Sequence, residues 1–280
     1  ASAFYRFTHP DIGSAITAWA RFNIKKIINT LDEEGHPVVY SDTDSIFVSS
    51  PEEGKDALVA FGHELANRFT KEGAELEFEK GLSVFFSHGA KKRYVGRVVW
   101  PEEELLIRGY EVRRTDSFDL LNTTMMGTFE RILDGDEEGA YKHVINLIRS
   151  VKAGEVDVED LILSRSCKGK VLKDGTVDFS VYSNPDGLPY VQAAKKRISC
   201  GLPFTPGMKV SYIVTAAKGE DGRQTVEPWL VTETGDPPPV PDWSFYAERL
   251  ARAMGRITEV YGWTKKDLLL GSRQQTFDFF

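Results

Sequence analysis

The stretch that most constrains this chain is Tyr40-Ser41-Asp42-Thr43-Asp44-Ser45-Ile46-Phe47-Val48. Val38 and Val39 precede it and Ile46 to Val48 close it, so two β-prone runs flank a short polar centre. That pattern predicts a hairpin with Asp42 and Asp44 at its tip. Side chains on a strand alternate with a period of two, so carboxylates two residues apart are expected to point the same way. Their repulsion costs energy unless a cation sits between or beside them, and an oxygen-only site suits Mg²⁺ or Mn²⁺ rather than zinc. The bland alternative is a solvated turn, where Asp is common.

A second stretch, Lys91-Lys92-Arg93-Tyr94, gathers three cations before an aromatic in a chain of net charge −7. Such a chain does not bind nucleic acid through bulk charge, so any binding surface must be a local basic patch. A few Lys or Arg contacts to phosphates fix register on a duplex without reading sequence. Lys and Tyr can also donate to the minor-groove acceptors that every base pair offers. Against this stands the ordinary reading of a basic tripeptide as a solvated face.

The two stretches together carry a resemblance. Tyr40 to Ser45 closely resembles the second palm metal motif of family B DNA polymerases, Tyr-x-Asp-Thr-Asp-Ser. Lys91 to Tyr94 resembles the family's Lys-Lys-Arg-Tyr motif, in the same order and at similar separation. The resemblance implies two-metal nucleotidyl transfer with Mg²⁺, or Mn²⁺, with Asp44 as main ligand for both ions and Asp42 as the supporting one. It also implies that Lys91, Lys92 and Tyr94, with Arg93 beside them, grip the primer-template duplex. The family's first palm metal motif, an Asp before a Ser-Leu-Tyr-Pro-Ser-like run, has no match here, and neither does the fingers Lys that meets the incoming dNTP. Phe4-Tyr5 and residues 15–19 look like the segment that follows the fingers motif.

The rest of the chain fits an α+β protein: an antiparallel palm sheet with packed helices, then a mainly helical thumb. At 280 residues there is room for about two domains. Asp11 is expected to cap a helix to about Leu31, packed under the sheet through Ile16, Trp19, Ala20, Asn23, Ile24, Ile27 and Ile28. A helix over 55–71 presents Leu58, Phe61, Leu65 and Phe69. The alternation of residues 74–80 predicts a half-buried strand, or else an acidic edge from which Glu77 or Glu79 meets an accessory metal. Strands follow over 82–86, 94–100 and 105–112.

Arg113-Arg114-Thr115-Asp116 marks the expected boundary, with palm over 1–112, thumb over 113–271 and a tail over 272–280. Arg114 joins the expected DNA contacts, and Thr115 or Asp116 is expected to cap a helix to about Leu133. Helices are expected over 136–152, from Pro189, and after Asp242. Between them, 161–164 and 204–214 read as strands and 167–186 as a mobile loop exposing Lys168, Lys170 and Lys173. The helix from Pro189 resembles the family's His-Val-x-x-Ala-x-Arg thumb helix, with Tyr190 in the His place, which would turn Lys195, Lys196 and Arg197 towards phosphates. In the tail, Gln274, Phe277, Phe279 and Phe280 resemble the sliding-clamp-binding peptide, with the aromatic pair one residue earlier than its usual spacing.

Cys167 and Cys200 show no metal-finger spacing, which fits free thiols in a reducing compartment, with a single bridge left open. No apolar run is long enough to cross a membrane and no signal peptide is visible, so a cytoplasmic, nucleoid-associated protein is expected. The resemblance makes this the C-terminal palm and thumb of a DNA polymerase. Its implied partners are primer-template DNA, dNTP, a sliding clamp, and an N-terminal chain carrying the remaining palm, fingers and exonuclease. The alternatives are a non-catalytic DNA- and clamp-binding subunit whose partner supplies the chemistry, or a two-metal nuclease, for which no further Asp/Glu/His constellation is present.

Overall fold

The computed structural model describes residues 9–51, 53–72, 75–88, 91–110, 117–219 and 222–273. The chain divides into two compact units, 1–108 and 109–280. Both mix helices with small antiparallel sheets, an α+β architecture. Phe4 and Tyr5, the Arg113 to Asp116 segment with Arg114, and the tail residues Gln274, Phe277, Phe279 and Phe280 lie outside the described residues.

In the first unit, helix α1 spans Pro10–Glu33 and leads into strands β1 (Val38–Asp42) and β2 (Ser45–Val48). These pair antiparallel as a two-stranded hairpin. Pro10 stands in the first helical turn, where a missing N–H costs nothing, and His9 rather than Asp11 occupies the cap position. Helix α2 spans Lys55–Lys71, and strands β3 (Gly81–Ser87), β4 (Tyr94–Trp100) and β5 (Glu104–Arg108) form a three-stranded antiparallel meander.

The core of this unit is Ile27, Leu31 and Phe69, with Val38, Ile46, Val48, Leu65 and Leu76 packed around it. Phe78 stacks on Trp100 at 4.6 Å, and its ring covers Gly62 so closely that a Cβ there would meet it at 2.4 Å. Arg68 grips Glu34 through two hydrogen bonds of 2.5 and 2.7 Å, tying the end of α1 to α2. This bond is the main reason the Glu34 carboxyl lies below its ordinary range.

Besides the Asp11 cap, two further expectations for this unit need correction. Residues 75–80 alternate in burial, with Leu76, Phe78 and Lys80 half-buried and Glu75, Glu77 and Glu79 exposed, yet they pair with no strand. The alternation there reflects one-sided packing of an extended segment and not a sheet ladder. Helix α1 packs only through its second half: from Pro10 to Phe22 every residue except Gly13 is exposed.

The second unit joins helices to a sheet. Helices α3 (Asp119–Leu133) and α4 (Glu137–Ala153) pack together. The cap of α3 is Phe118, not Thr115 or Asp116. Asp136 caps α4 by accepting the Gly139 N–H. Strand β6 (Leu163–Ser166) is followed by a small hairpin of β7 (Lys170–Val171) and β8 (Val177–Asp178) and then by helix α5 (Pro189–Ser199). Strands β9 (Lys209–Ala216) and β10 (Thr225–Pro228) complete a sheet of order β10-β9-β6.

Helix α6 is one turn, Val231–Thr234; α7 (Trp243–Thr258) and α8 (Lys265–Leu270) pack with α4. Asp242 caps α7 through the Phe245 N–H and also accepts the Ala217 N–H at 2.8 Å. The stripe of Tyr246, Leu250, Met254 and Ile257 is fully buried.

The 167–186 segment is built, not loose. Besides the β7–β8 pairing, the Tyr182 hydroxyl accepts the Lys168 N–H at 2.7 Å, and Phe179 is buried against Phe204. Lys168, Lys170 and Lys173 are exposed on it. Both cysteines are free, Cys167 buried and Cys200 exposed. Among the described residues no helix is long and apolar enough to cross a membrane.

Candidate metal and nucleic-acid site

The hairpin closes with a two-residue turn. Asp42 pairs with Ser45 across it, and Thr43 takes a left-handed φ of 57°. The Asp44 N–H donates to the Asp42 carbonyl at 2.7 Å, and the Ser45 hydroxyl donates to the same carbonyl at 3.1 Å. Asp42 therefore ends a strand while Asp44 sits in the turn, so the alternation rule does not govern the pair; the turn does.

The two carboxylates differ in surroundings. Asp42 is half-buried; its Oδ1 accepts the Thr43 hydroxyl at 3.2 Å and lies 3.6 Å from Lys92 Nζ. Asp44 is exposed, and among the described residues its carboxylate accepts no hydrogen bond and meets no cation. Among those residues, too, no three His, Cys, Asp or Glu side chains gather closely enough to hold an ion. The chain thus contributes an oxygen-donor pair that suits a hard divalent cation but does not complete a cage for it. Glu77 and Glu79 do not join the pair in such a group.

The basic cluster stands beside this turn. The Lys92 N–H donates to the Tyr40 hydroxyl at 2.8 Å, and Lys92 itself takes a φ of 66°. Ser87 donates to the Arg93 carbonyl at 3.1 Å. Below these bonds, Tyr40, Phe47, Phe85 and Tyr94 form one aromatic cluster, with centroids 4.9 to 5.8 Å apart. The acidic motif and the basic motif are thereby joined through their own aromatics. Burial pushes the Tyr94 phenol up, with Arg108 opposing, so it remains a protonated donor at neutral pH. Lys91 and Lys92 are exposed. The Lys92–Asp42 pair has a side chain that is 68% exposed at the Lys end. Such a pair is weak, so the ammonium can exchange to a phosphate.

Lys195, Lys196 and Arg197 are placed differently from what the sequence implies. Lys195 pairs with Asp186 at 2.5 Å, Lys196 with Glu227 at 2.5 Å, and Arg197 with Glu233 at 2.8 Å. Arg197 also donates to the Pro203 carbonyl and is only 13% exposed at its side chain. Tyr190 is buried between Tyr182 and the Arg165 guanidinium. The residues that sequence reasoning missed are Tyr40, as the acceptor that holds the basic loop, and Arg108, beside Tyr94. The Tyr40 signal lay in the motif itself; the Arg108 role depends on β4–β5 register, where it faces Tyr94.

These features define a family. The sequence model for DNA polymerase family B matches residues 13–260, and the chain belongs to that family. DNA polymerase 2 of Aeropyrum pernix is 29% identical over 268 residues, covering 95% of this chain and 30% of its own length. A DNA polymerase of Thermococcus kodakarensis is 30% identical over 272 residues, covering 92% of this chain and 15% of its own. The solved family B DNA polymerase from the hyperthermophilic archaeon Pyrobaculum calidifontis shares the fold, with a TM-score of 0.63 at 23% identity, over 91% of this chain and 31% of that one. The chain spans at most about a third of these relatives.

Proposed function

We propose that this chain is the C-terminal palm and thumb portion of a family B DNA polymerase and supplies part of a two-metal nucleotidyl-transfer centre. The observation that carries the reading is the exposed Asp44 carboxylate, unpartnered among the described residues, at the tip of a hairpin bonded to the Lys91–Tyr94 loop. In this reading residues 1–112 are palm, 113–271 thumb, and 272–280 a sliding-clamp peptide with Gln274, Phe277, Phe279 and Phe280.

Asp44 and Asp42 would hold Mg²⁺, or Mn²⁺, whose charge stabilises the attacking 3′-hydroxyl and the leaving pyrophosphate of an in-line displacement. The Thr43 hydroxyl would orient Asp42, and the Lys92 ammonium, only loosely paired with it, would be free to turn to a phosphate. Asp44, exposed and without a partner among the described residues, would offer its oxygens to the ion. The Tyr40 hydroxyl holds the Lys92 backbone, so the cations of the basic loop stand at a fixed place beside the turn. Lys91, Lys92 and the Tyr94 phenol then grip phosphates and minor-groove acceptors without base preference. An accessory ion in the assembled enzyme would take Glu77 or Glu79, whose carboxylates face outward.

Two carboxylates are too few for two ions, so the remaining ligands come from polypeptide carrying the first palm aspartate. The test is primer extension by the purified chain with dNTPs and Mg²⁺. None is expected until that polypeptide is supplied, because members of one catalytic unit fail together. Robust template-directed synthesis by this chain alone would overturn the reading.

A further inference from the structure

A groove of about 380 Å³ lies between α3 and α4 in the second unit. Its wall on α4 follows from spacing. His143, Asn146 and Ser150 stand three and four residues apart, so they form one line beside the buried line of Val144, Ile148 and Val151. Lys142 is exposed at the rim, and Arg131, in the last turn of α3, supplies the facing wall. The rest of the lining is glycine and leucine, so among the described residues the groove is lined by no carboxylate and no ring other than His143.

The donors of this groove are short of acceptors. Arg131 Nη1 donates to the Gly127 carbonyl at 2.6 Å, and among the described residues the guanidinium meets no carboxylate. The side chains of Asn146 and Ser150 make no hydrogen bond among those residues. Lys142 pairs with Glu138, but the two side chains are 61% and 64% exposed, and such a pair exchanges readily. His143 Nε2 is sealed from solvent without a partner; a Cβ on Gly127 would stand 3.0 Å from it and 3.2 Å from Arg131 Nη1. Beside a guanidinium that only donates, this nitrogen is best left without a hydrogen, which assigns the proton to Nδ1. Nδ1 is not sealed in this way, so it is the ring nitrogen that the groove reaches. Burial, and then the Arg131 charge, hold His143 below its ordinary value, so the ring is neutral at neutral pH.

A groove that offers donors and positive charge but no carboxylate selects anions, and a guanidinium fork matches phosphate oxygens. With no large aromatic face to stack on, it would read phosphate and not a base. We infer that this groove binds a small oligophosphate anion of the pyrophosphate class, anchored by Arg131, with His143 Nδ1–H, the Asn146 amide and the Ser150 hydroxyl as further donors. Lys142 adds the second positive charge, which favours a diphosphate over a singly charged anion. The inference is independent of the metal-site reading, because α3 and α4 carry none of the residues proposed there.

The test is calorimetric titration of the whole chain with inorganic pyrophosphate, alongside NMR of the His143 imidazole, assigned with His143→Gln. Saturable binding with a Kd of about 1 mM or tighter is expected. It should come with a shift at His143 that chloride at equal ionic strength does not produce. Arg131→Gln should weaken binding at least about tenfold, the loss that removing a charged donor produces. Asn146→Asp keeps the side chain's shape at an exposed position but places a negative charge in the groove, so it should weaken binding as well while the melting temperature holds. Lys173→Gln, which removes one charge on the β7–β8 hairpin, should not. No saturable binding, a shift that chloride reproduces, or wild-type affinity in both Arg131→Gln and Asn146→Asp would overturn the proposal. So would a His143 shift produced by duplex DNA and not by pyrophosphate, since the groove would then be a contact for the nucleic-acid backbone.

Discussion

The Tyr40 hydroxyl accepts the Lys92 N–H while its ring packs on Tyr94 and Phe47, so one side chain couples the turn to the basic loop. Tyr40→Phe keeps the ring and removes the acceptor. It should cost about 1 kcal/mol of stability in the first unit, the net worth of one such bond, read by urea denaturation. Lys92 holds a φ of 66°, which β-branched residues resist. Lys92→Val should therefore destabilise by a further 1–2 kcal/mol or about that, whereas Lys92→Gly should keep the fold. A Lys92→Val chain as stable as Lys92→Gly would mean that the loop does not need this conformation. Cys167 is wholly buried, and burial pushes its thiol up to about 11 from an ordinary 9.0. The unfolded chain releases this proton first, so the native state binds more protons between those values and stability should fall as pH rises from about 9 towards 11. Cys167→Ala should flatten that part of the pH profile. Near neutral pH an alkylating agent should modify Cys200 and spare Cys167 until the chain unfolds.

At the scale of elements, capping is the link between sequence and local structure that can be tested directly. Asp242 serves the Phe245 N–H of α7 and the Ala217 N–H after β9. Asp242→Ala removes both acceptors and should destabilise the second unit by about 1–2 kcal/mol, seen as a lower melting temperature. No shift would mean that water replaces both bonds. This cap was legible in the sequence because a cap is a local device, fixed within three residues. So were the hairpin, helix α2 and strands β3 and β4 that follow it, and the buried stripe of α7, all set by short-range periodicity. What the sequence did not reveal depends on distant partners. Lys195, Lys196 and Arg197 read as phosphate ligands, yet their acids lie 9, 31 and 36 residues away, joined only once the fold is made. The 75–80 segment alternates as a strand does, but a ladder needs a neighbour, and periodicity says nothing of one. The 167–186 segment looked loose because its anchors are a Tyr182 hydroxyl and a Phe179–Phe204 contact rather than an apolar run.

For the whole molecule, net charge and local charge pull apart. The chain is at −7 overall, so the proposed duplex binding would depend on the few cations of the basic loop. Replacing Lys91 and Lys92 with Ala should weaken primer-template binding equally across sequences. The slope of log affinity against log salt should fall by about one to two units, roughly one per lost phosphate contact. Unchanged affinity and slope would assign the loop to ordinary surface. The family motif placed Asp42, Asp44 and the basic loop in one neighbourhood before any coordinates did, because motif order reflects a shared fold. Further ligands for the proposed metal site were not legible here, and no third His, Cys, Asp or Glu joins the two aspartates among the described residues. The most direct measurement is Mg²⁺-dependent primer extension by the assembled polymerase, comparing wild type with Asp44→Ala and Asp42→Ala. Asp44→Ala should abolish extension while leaving assembly and duplex binding intact, and Asp42→Ala should be equally or less damaging. Full extension by the Asp44→Ala assembly would contradict a catalytic role for this hairpin and leave the chain as a DNA-gripping subunit alone.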